Sequence, residues 1–276
     1  MKLNQFLQAC FQGDLKAVKS GVKESREIVN MSDERGFSSL HAACSLETAC
    51  SLEQKLETAK YLISVGSDKN KGNNNGETAL FIACHLGVYG NLEIVKLLLQ
   101  EGADKDKGDK NGATPLFVAS LIGHLDVVRF LLQEGADKDN ECNNGMFPLY
   151  IASQQGHLEI VRLLLQKGAD KDKGDNIGMT PLMIASSQGH LDVVRLLLEE
   201  GANKDKENND GVTTLMIASQ DGHLEIVRLL LQEGSDKDKA YISNGSTPLH
   251  FACGNGHTAI AMLLLLAGAN MERRKQ

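Results

Sequence analysis

One pattern constrains this chain more than any other: a glycine that returns with the same neighbours. Gly36, Gly76, Gly112, Gly145, Gly178, Gly211 and Gly245 align at spacings of 40, 36, 33, 33, 33 and 34 residues. Gly112-Ala113-Thr114-Pro115-Leu116 returns as Gly178-Met179-Thr180-Pro181-Leu182 and as Gly245-Ser246-Thr247-Pro248-Leu249. Gly123-His124-Leu125-Asp126-Val127-Val128-Arg129 returns as Gly156-His157-Leu158-Glu159-Ile160-Val161-Arg162. A period of this length marks a supersecondary unit too small to bury its own apolar face, so the units must stack.

The chemistry of one unit reads directly. Thr114, Thr180 and Thr247 suit an N-cap, where the hydroxyl accepts an orphan helix N–H. Pro115, Pro148, Pro181 and Pro248, all four prolines of the chain, fall on the next position, the first of a helix, where a missing N–H costs nothing. The pattern predicts a short helix over 115–121, a break at Gly123, and a second helix over 125–133 carrying Val127, Val128, Phe130, Leu131 and Leu132. Gly135 suits a left-handed C-cap, and the polar Gly/Asn/Asp-rich segment after it reads as a projecting loop. Aromatics make up only 4% and Trp is absent, so Leu, Ile, Val and Ala must fill the core.

Thr247-Pro248-Leu249-His250-Phe251-Ala252 matches the signature T-P-L-H-x-A. On that motif, the 33-residue period and the paired glycines, the chain resembles the ankyrin-repeat family. The resemblance covers 33–272 as seven repeats, starting near 33, 73, 109, 142, 175, 208 and 242. Residues 1–32 resemble a degenerate leading repeat that caps the stack, and 273–276 form a charged tail. The resemblance implies an all-α ankyrin-repeat solenoid of stacked antiparallel helix pairs with projecting β-hairpin-like loops. It also implies a concave groove of hairpin tips and first helices that receives a protein partner.

Other function classes find little support. The net charge of −7 opposes the positive field that nucleic acid or an anionic membrane requires. Arg129, Arg162, Arg195 and Arg228 form a ladder, but Asp126, Glu159, Asp192 and Glu225 precede them by three residues and neutralise it. The amino terminus lacks the apolar core of a secretory signal, and the richest apolar stretch, 260–269, is far short of the roughly 20 residues that span a bilayer.

His124, His157, His190, His223 and His257 are spread one per repeat, whereas zinc ligands must converge, so they read as structural residues at the start of the second helix. Asp170-Lys171-Asp172-Lys173-Gly174-Asp175 evokes a calcium loop but lacks its closing glutamate and reads as a solvated, charged hairpin. Cys10, Cys44, Cys84 and Cys253 share a column with Ser120, Ser153, Ser186 and Ser219, so they stand in for a small buried side chain. Cys50 and Cys142 are off-pattern and are expected to be exposed. No metal, cofactor, nucleotide loop or catalytic constellation is recognised. The reading is a non-catalytic intracellular adaptor, placed in the cytoplasm with the nucleus left open.

For ankyrin-like folds the recognition positions are the hairpin tips and the inner face of the first helix. Here the candidates are Leu86, Leu121, Ile122, Met146, Gln154, Gln155, Ile177, Met179, Gln188, Val212, Gln220 and Asp221. Leu86, Leu121, Ile122, Met146, Ile177, Met179 and Val212 are apolar where exposure is expected, which suits a contact surface; tucking against adjacent hairpins is the competing expectation. The partner is placed around the third to fifth repeats. Insertions within 45–58 and 87–90 form either an accessory site, with Tyr89 exposed, or tolerated drift. In the last helix Ala259, Met262 and Leu266 replace polar residues of earlier repeats. That greasy face makes a self-associating scaffold the alternative function.

Overall fold

The computed structural model describes residues 1–45, 51–86 and 91–270. The chain divides into two compact units, Met1–Asn143 and Asn144–Gln276. The first holds four helix pairs: α1 (Leu3–Phe11) with α2 (Leu15–Glu24), α3 (Ser39–Cys44) with α4 (Leu52–Ser64), α5 (Ala79–His85) with α6 (Asn91–Gln100), and α7 (Pro115–Ile122) with α8 (Leu125–Gln133). The second holds α9 (Pro148–Gln155) with α10 (Leu158–Gln166), α11 (Pro181–Ser187) with α12 (Leu191–Glu199), α13 (Thr214–Asp221) with α14 (Leu224–Gln232), and α15 (Pro248–Gly254) with α16 (Thr258–Leu266). Within each unit every helix packs on its pair-mate, and first helices stack on first helices. Where the connecting turn is described, its shortness makes the pair-mates antiparallel neighbours. Among the described residues no strand forms; the hairpin-like loops contribute two isolated antiparallel bridges, Ser32–Ser38 and Glu207–Thr213.

Of the expected caps, Thr114 and Thr180 form as the sequence implies, Thr78 and Thr213 add two of the same kind, and at α15 the Thr247 hydroxyl lies 2.8 Å from His250 Nδ1. The Oγ1 atoms of Thr78, Thr114, Thr180 and Thr213 accept from the amides of Phe81, Phe117, Met183 and Met216 at 3.2, 3.2, 3.3 and 3.4 Å. At α9 the cap position holds Phe147, whose ring is fully buried, 6.1 Å from the Tyr150 ring and 5.1 Å from the Lys173 ammonium. The two helices of a pair divide the labour. The first turns of α7 are buried all round, from Pro115 to Ser120, whereas α8 buries only Val127, Val128, Leu131 and Leu132. Each such aliphatic side chain contributes about 1.5–3 kcal/mol on burial.

Five of the hairpin tips are each folded by one polar side chain at the repeat start. Asp33 Oδ1 accepts from Arg35 N and Phe37 N at 2.9 and 2.8 Å, Asp109 from Asn111 N and Ala113 N, Asp175 from Ile177 N and Met179 N. Asn73 and Asn208 do the same. Cys142 occupies the equivalent position and is buried, and the expectation of an exposed thiol is corrected.

Adjacent repeats are tied through those loops. Asn74 N donates to Arg35 O, Lys110 N to Asn75 O, and in the second unit Asn209 N to Ile177 O, at 2.8–3.0 Å. The Asp-Lys text is part of the same scaffold. Asp172 Oδ1 accepts from Asn203 N at 2.7 Å, and Asp205 Oδ1 from Asp236 N at 2.9 Å. Lys107 Nζ donates to Asn70 O at 2.7 Å, and Lys206 Nζ to Asp172 O. The reading of this text as merely solvated charge is therefore corrected: its carboxylates and ammoniums satisfy backbone groups of the neighbouring repeat.

The histidines before the second helices are also ties. Nε2 of His190, His223 and His257 donates to the carbonyls of Gln154, Ser187 and Gln220 at 2.9, 2.8 and 2.9 Å. The arginine ladder splits by acid length. Glu159 and Glu225 reach Arg162 and Arg228 at 3.8 and 3.3 Å. Asp126 and Asp192, one methylene shorter, form no such pair with Arg129 and Arg195 among the described residues. These exposed pairs are worth at most a few tenths of a kcal/mol.

Candidate functional site

Of the expected positions in the first unit, Ile122 is 41% exposed, while Leu86 and Leu121 are half-buried. In the second unit Ile177 stands out at 57% exposure; Met146, Met179 and Val212 are half-buried. Met179 Sδ accepts from Asn208 Nδ2 at 3.8 Å, so the thioether leans on the next hairpin. Tucking and exposure thus coexist along this row.

The polar candidates are partly organised by one another. Ser187 Oγ donates to Asp221 Oδ2 at 2.8 Å, and Gln220 Nε2 to Asp221 Oδ1 at 3.4 Å. Gln155, Gln188, Gln220 and Asp221 are exposed, and Gln154 is half-buried. Asp221 is therefore a carboxylate held in place on an exposed face of the second unit, within reach of a cation or an amide donor.

A concavity that sequence reasoning missed lies in the first unit. A cleft of about 830 Å³ opens between α1, α3, α5 and the 33–37 loop, with Leu7, Phe11, Phe37, Ala42, Phe81 and Ile82 among its apolar lining and Asp33, Glu34, Arg35 and Glu77 among its charges. Leu86 of the expected set lines it as well. The signal was present in the repeat columns. Ala42 stands where later repeats carry Ile82, Val118, Ile151, Ile184, Ile217 and Phe251, and Ser45 where they carry residues such as His85, Leu121 and Gln154.

Beneath the cleft His41 is fully buried. Its Nδ1 accepts from Ser38 N at 3.1 Å and its Nε2 donates to Glu77 O at 2.9 Å, which defines the neutral tautomer. Burial holds its pKa below the usual histidine value, against the opposing pull of the Glu77 carbonyl. The fully buried Lys55 bonds to Ser45 O, and its ammonium lies 5.6 Å from the Phe11 ring centre.

The cysteines are poor nucleophiles where they are enclosed. Burial pushes the Cys10 and Cys44 thiols up to about 12 and raises Cys84 as well. Cys253, in the same repeat column, is exposed, because no further repeat packs on α15 among the described residues. In the last helix Met262 and Leu266 are 60% and 85% exposed, Ala259 is exposed too, and Leu265 adds to the same apolar surface. Cys50, Tyr89 and the 272–276 tail lie outside the described residues, as do most of the 45–58 insertion's leading half and all of 87–90.

Glycine-turned loops, threonine- and proline-capped first helices and amphipathic second helices define a helical repeat protein. The family described as ankyrin repeats (3 copies) matches residues 6–87, 46–142, 135–208 and 200–275. The chain belongs to the ankyrin-repeat family. No curated protein matches it. No helix among the described residues is long and apolar enough to cross a membrane. Ankyrin repeats generally serve as protein–protein interaction modules.

Proposed function

We propose that the chain is a non-catalytic adaptor that binds a protein partner through its hairpin tips and first helices. The observation that carries this reading is the 57% exposure of Ile177 at a hairpin tip of a unit whose first helices also expose Gln155, Gln188, Gln220 and the ordered Asp221 carboxylate. An exposed large apolar side chain on a surface that also carries ordered polar groups is the composition of a contact surface. In the first unit Leu86, Leu121 and Ile122 offer a comparable apolar row. The five described cysteines are all free, which suits a reducing intracellular compartment. The net negative charge favours protein over nucleic acid as partner.

Affinity capture with the wild-type chain and with an Ile177→Arg/Met179→Arg variant tests the surface. Partners specific to the wild type should be lost from a variant that melts at an unchanged temperature. Their retention by the folded variant sinks the assignment.

The exposure of Met262, Leu265 and Leu266 favours one second reading, self-association through α16. Contiguous exposed apolar surface of this kind marks contact sites. Sedimentation at rising concentration should then show a dimer that Leu266→Lys dissociates; a strict monomer at all concentrations removes this reading.

A further inference from the structure

We propose that the cleft of the first unit receives a peptide segment carrying one arginine or lysine flanked by apolar side chains. The inference rests on the reading of the chain as a protein-binding module, and it adds a second site with a stated chemistry.

The cleft has an identifiable cause. The middle of its three first helices is trimmed: α3 presents Ala42 and Ser45, while its neighbours present Gln8 and Phe11 on α1 and Ile82 and His85 on α5. Small residues between large ones leave a saddle. Its volume of about 830 Å³ lies within the usual range for a binding pocket of a few side chains. The floor is Ala42, Phe81 and Ile82, all buried, and the half-buried Phe11 and Phe37 supply apolar walls.

The rim selects charge. Asp33, Glu34 and Glu77 face the cleft against Arg35 alone. The buried Lys55 lies behind the Ser45 end, where its ammonium is bonded to a carbonyl, and it is not part of the lining. Glu34 is exposed and forms no ion pair among the described residues, so its carboxylate is available. Carboxylates above low-dielectric walls focus a negative potential, drawing cations and repelling phosphates. The Phe37 ring, tilted over His41 at 5.5 Å, can add a cation–π contact. Apolar walls distinguish a peptide side chain with flanking hydrophobes from a free inorganic cation, which would gain nothing from Phe11 or Ile82.

Fluorescence anisotropy with three labelled ten-residue peptides tests the proposal. The first carries arginine between leucine and phenylalanine in a Gly/Ser frame; the second replaces the arginine by glutamate; the third replaces both hydrophobes by serine. The first should bind the full chain at least ten-fold more tightly than either control. Ala42→Ile fills the saddle with the residue that α5, α9, α11 and α13 already carry there, and should weaken binding at least ten-fold with helicity and melting retained. Glu34→Lys should weaken it several-fold and flatten its salt dependence. No saturable binding of the first peptide, equal binding of all three, or affinity unchanged by Ala42→Ile overturns the proposal. Should Ala42→Ile not fold, unchanged affinity in Glu34→Lys overturns it instead. Loss of partner capture in Ile177→Arg/Met179→Arg, with no peptide binding by the wild type, sinks the cleft alone; tight peptide binding beside undisturbed capture sinks the second-unit surface alone.

Discussion

Gly189 and His223 allow the tie between neighbouring repeats to be measured. Gly189 has φ +77°, and a Cβ there would lie 2.7 Å from Cε1 and 2.9 Å from Nδ1 of His223. His223 Nε2 in turn donates to Ser187 O at 2.8 Å. Gly189→Ala therefore carries two penalties. The left-handed backbone costs about 1–2 kcal/mol for a residue with a Cβ, and displacement of the ring forfeits a hydrogen bond worth about 1 kcal/mol, for a total of about 2–3 kcal/mol. His223→Ala forfeits the same bond and some packing, about 1–2 kcal/mol. In the double variant the bond is lost once and the clash is gone. The combined loss should thus fall short of the sum by about 1 kcal/mol, the size of coupling found between residues in contact. Equilibrium urea unfolding of all four proteins by far-UV circular dichroism gives the cycle, with hydrogen exchange of the α11 and α13 amides as the local readout. Strict additivity would refute the steric and hydrogen-bonding link between the two positions.

Two further perturbations follow from the packing. Phe147→Thr restores the cap found at equivalent positions, worth about 1 kcal/mol, but deletes a fully buried ring whose truncation costs about 3–5 kcal/mol; a net loss of about 2 kcal/mol or more is expected in the denaturation midpoint, and a gain would show that the ring does not hold the stack. His41 binds its proton less tightly folded than unfolded because of burial, so its contribution to stability is complete above the unfolded value of about 6.5 and is lost as the pH falls through the lower folded value. Denaturation midpoints measured from pH 8 to pH 5 should decline in the wild type and less steeply in His41→Gln; parallel profiles would count against this role.

The helices were legible almost to the residue. Thr114, Pro115 and Gly123 place a helix over 115–121, and α7 runs Pro115–Ile122; the segment expected over 125–133 is α8 itself. Those residues act on their own backbone, so local chemistry suffices. The misreadings concern residues that act on a neighbouring repeat. Asp172 and Lys206 look like solvent charges until the adjoining loop is placed beside them. Cys142 looks off-pattern until its column is seen to hold the side chains that fold five of the other hairpin tips. Asp126 looks like a partner for Arg129 until the reach of one missing methylene is measured. The cleft was hidden for a different reason: it arises from what Ala42 and Ser45 lack, and a motif search registers what is present. In the second unit Ile177 is exposed and Met179 is leaned against Asn208, a distinction between two apolar neighbours that no periodicity carries.

The hairpin ties have a direction. In each unit the loop amide of the later repeat gives its proton to the earlier one: Asn74 to Arg35, Lys110 to Asn75, Asn209 to Ile177, Asn203 to Asp172 and Asp236 to Asp205. A row of bonds aligned in this way has polarity, and its two faces are chemically unlike, one offering donors and the other acceptors. Growth by further repeats is accordingly head-to-tail. A two-fold dimer places identical surfaces together, so pairing through α16 would set acceptor against acceptor at the loops. Such a dimer would have to be held by Met262, Leu265 and Leu266 alone, with its hairpins turned out to water.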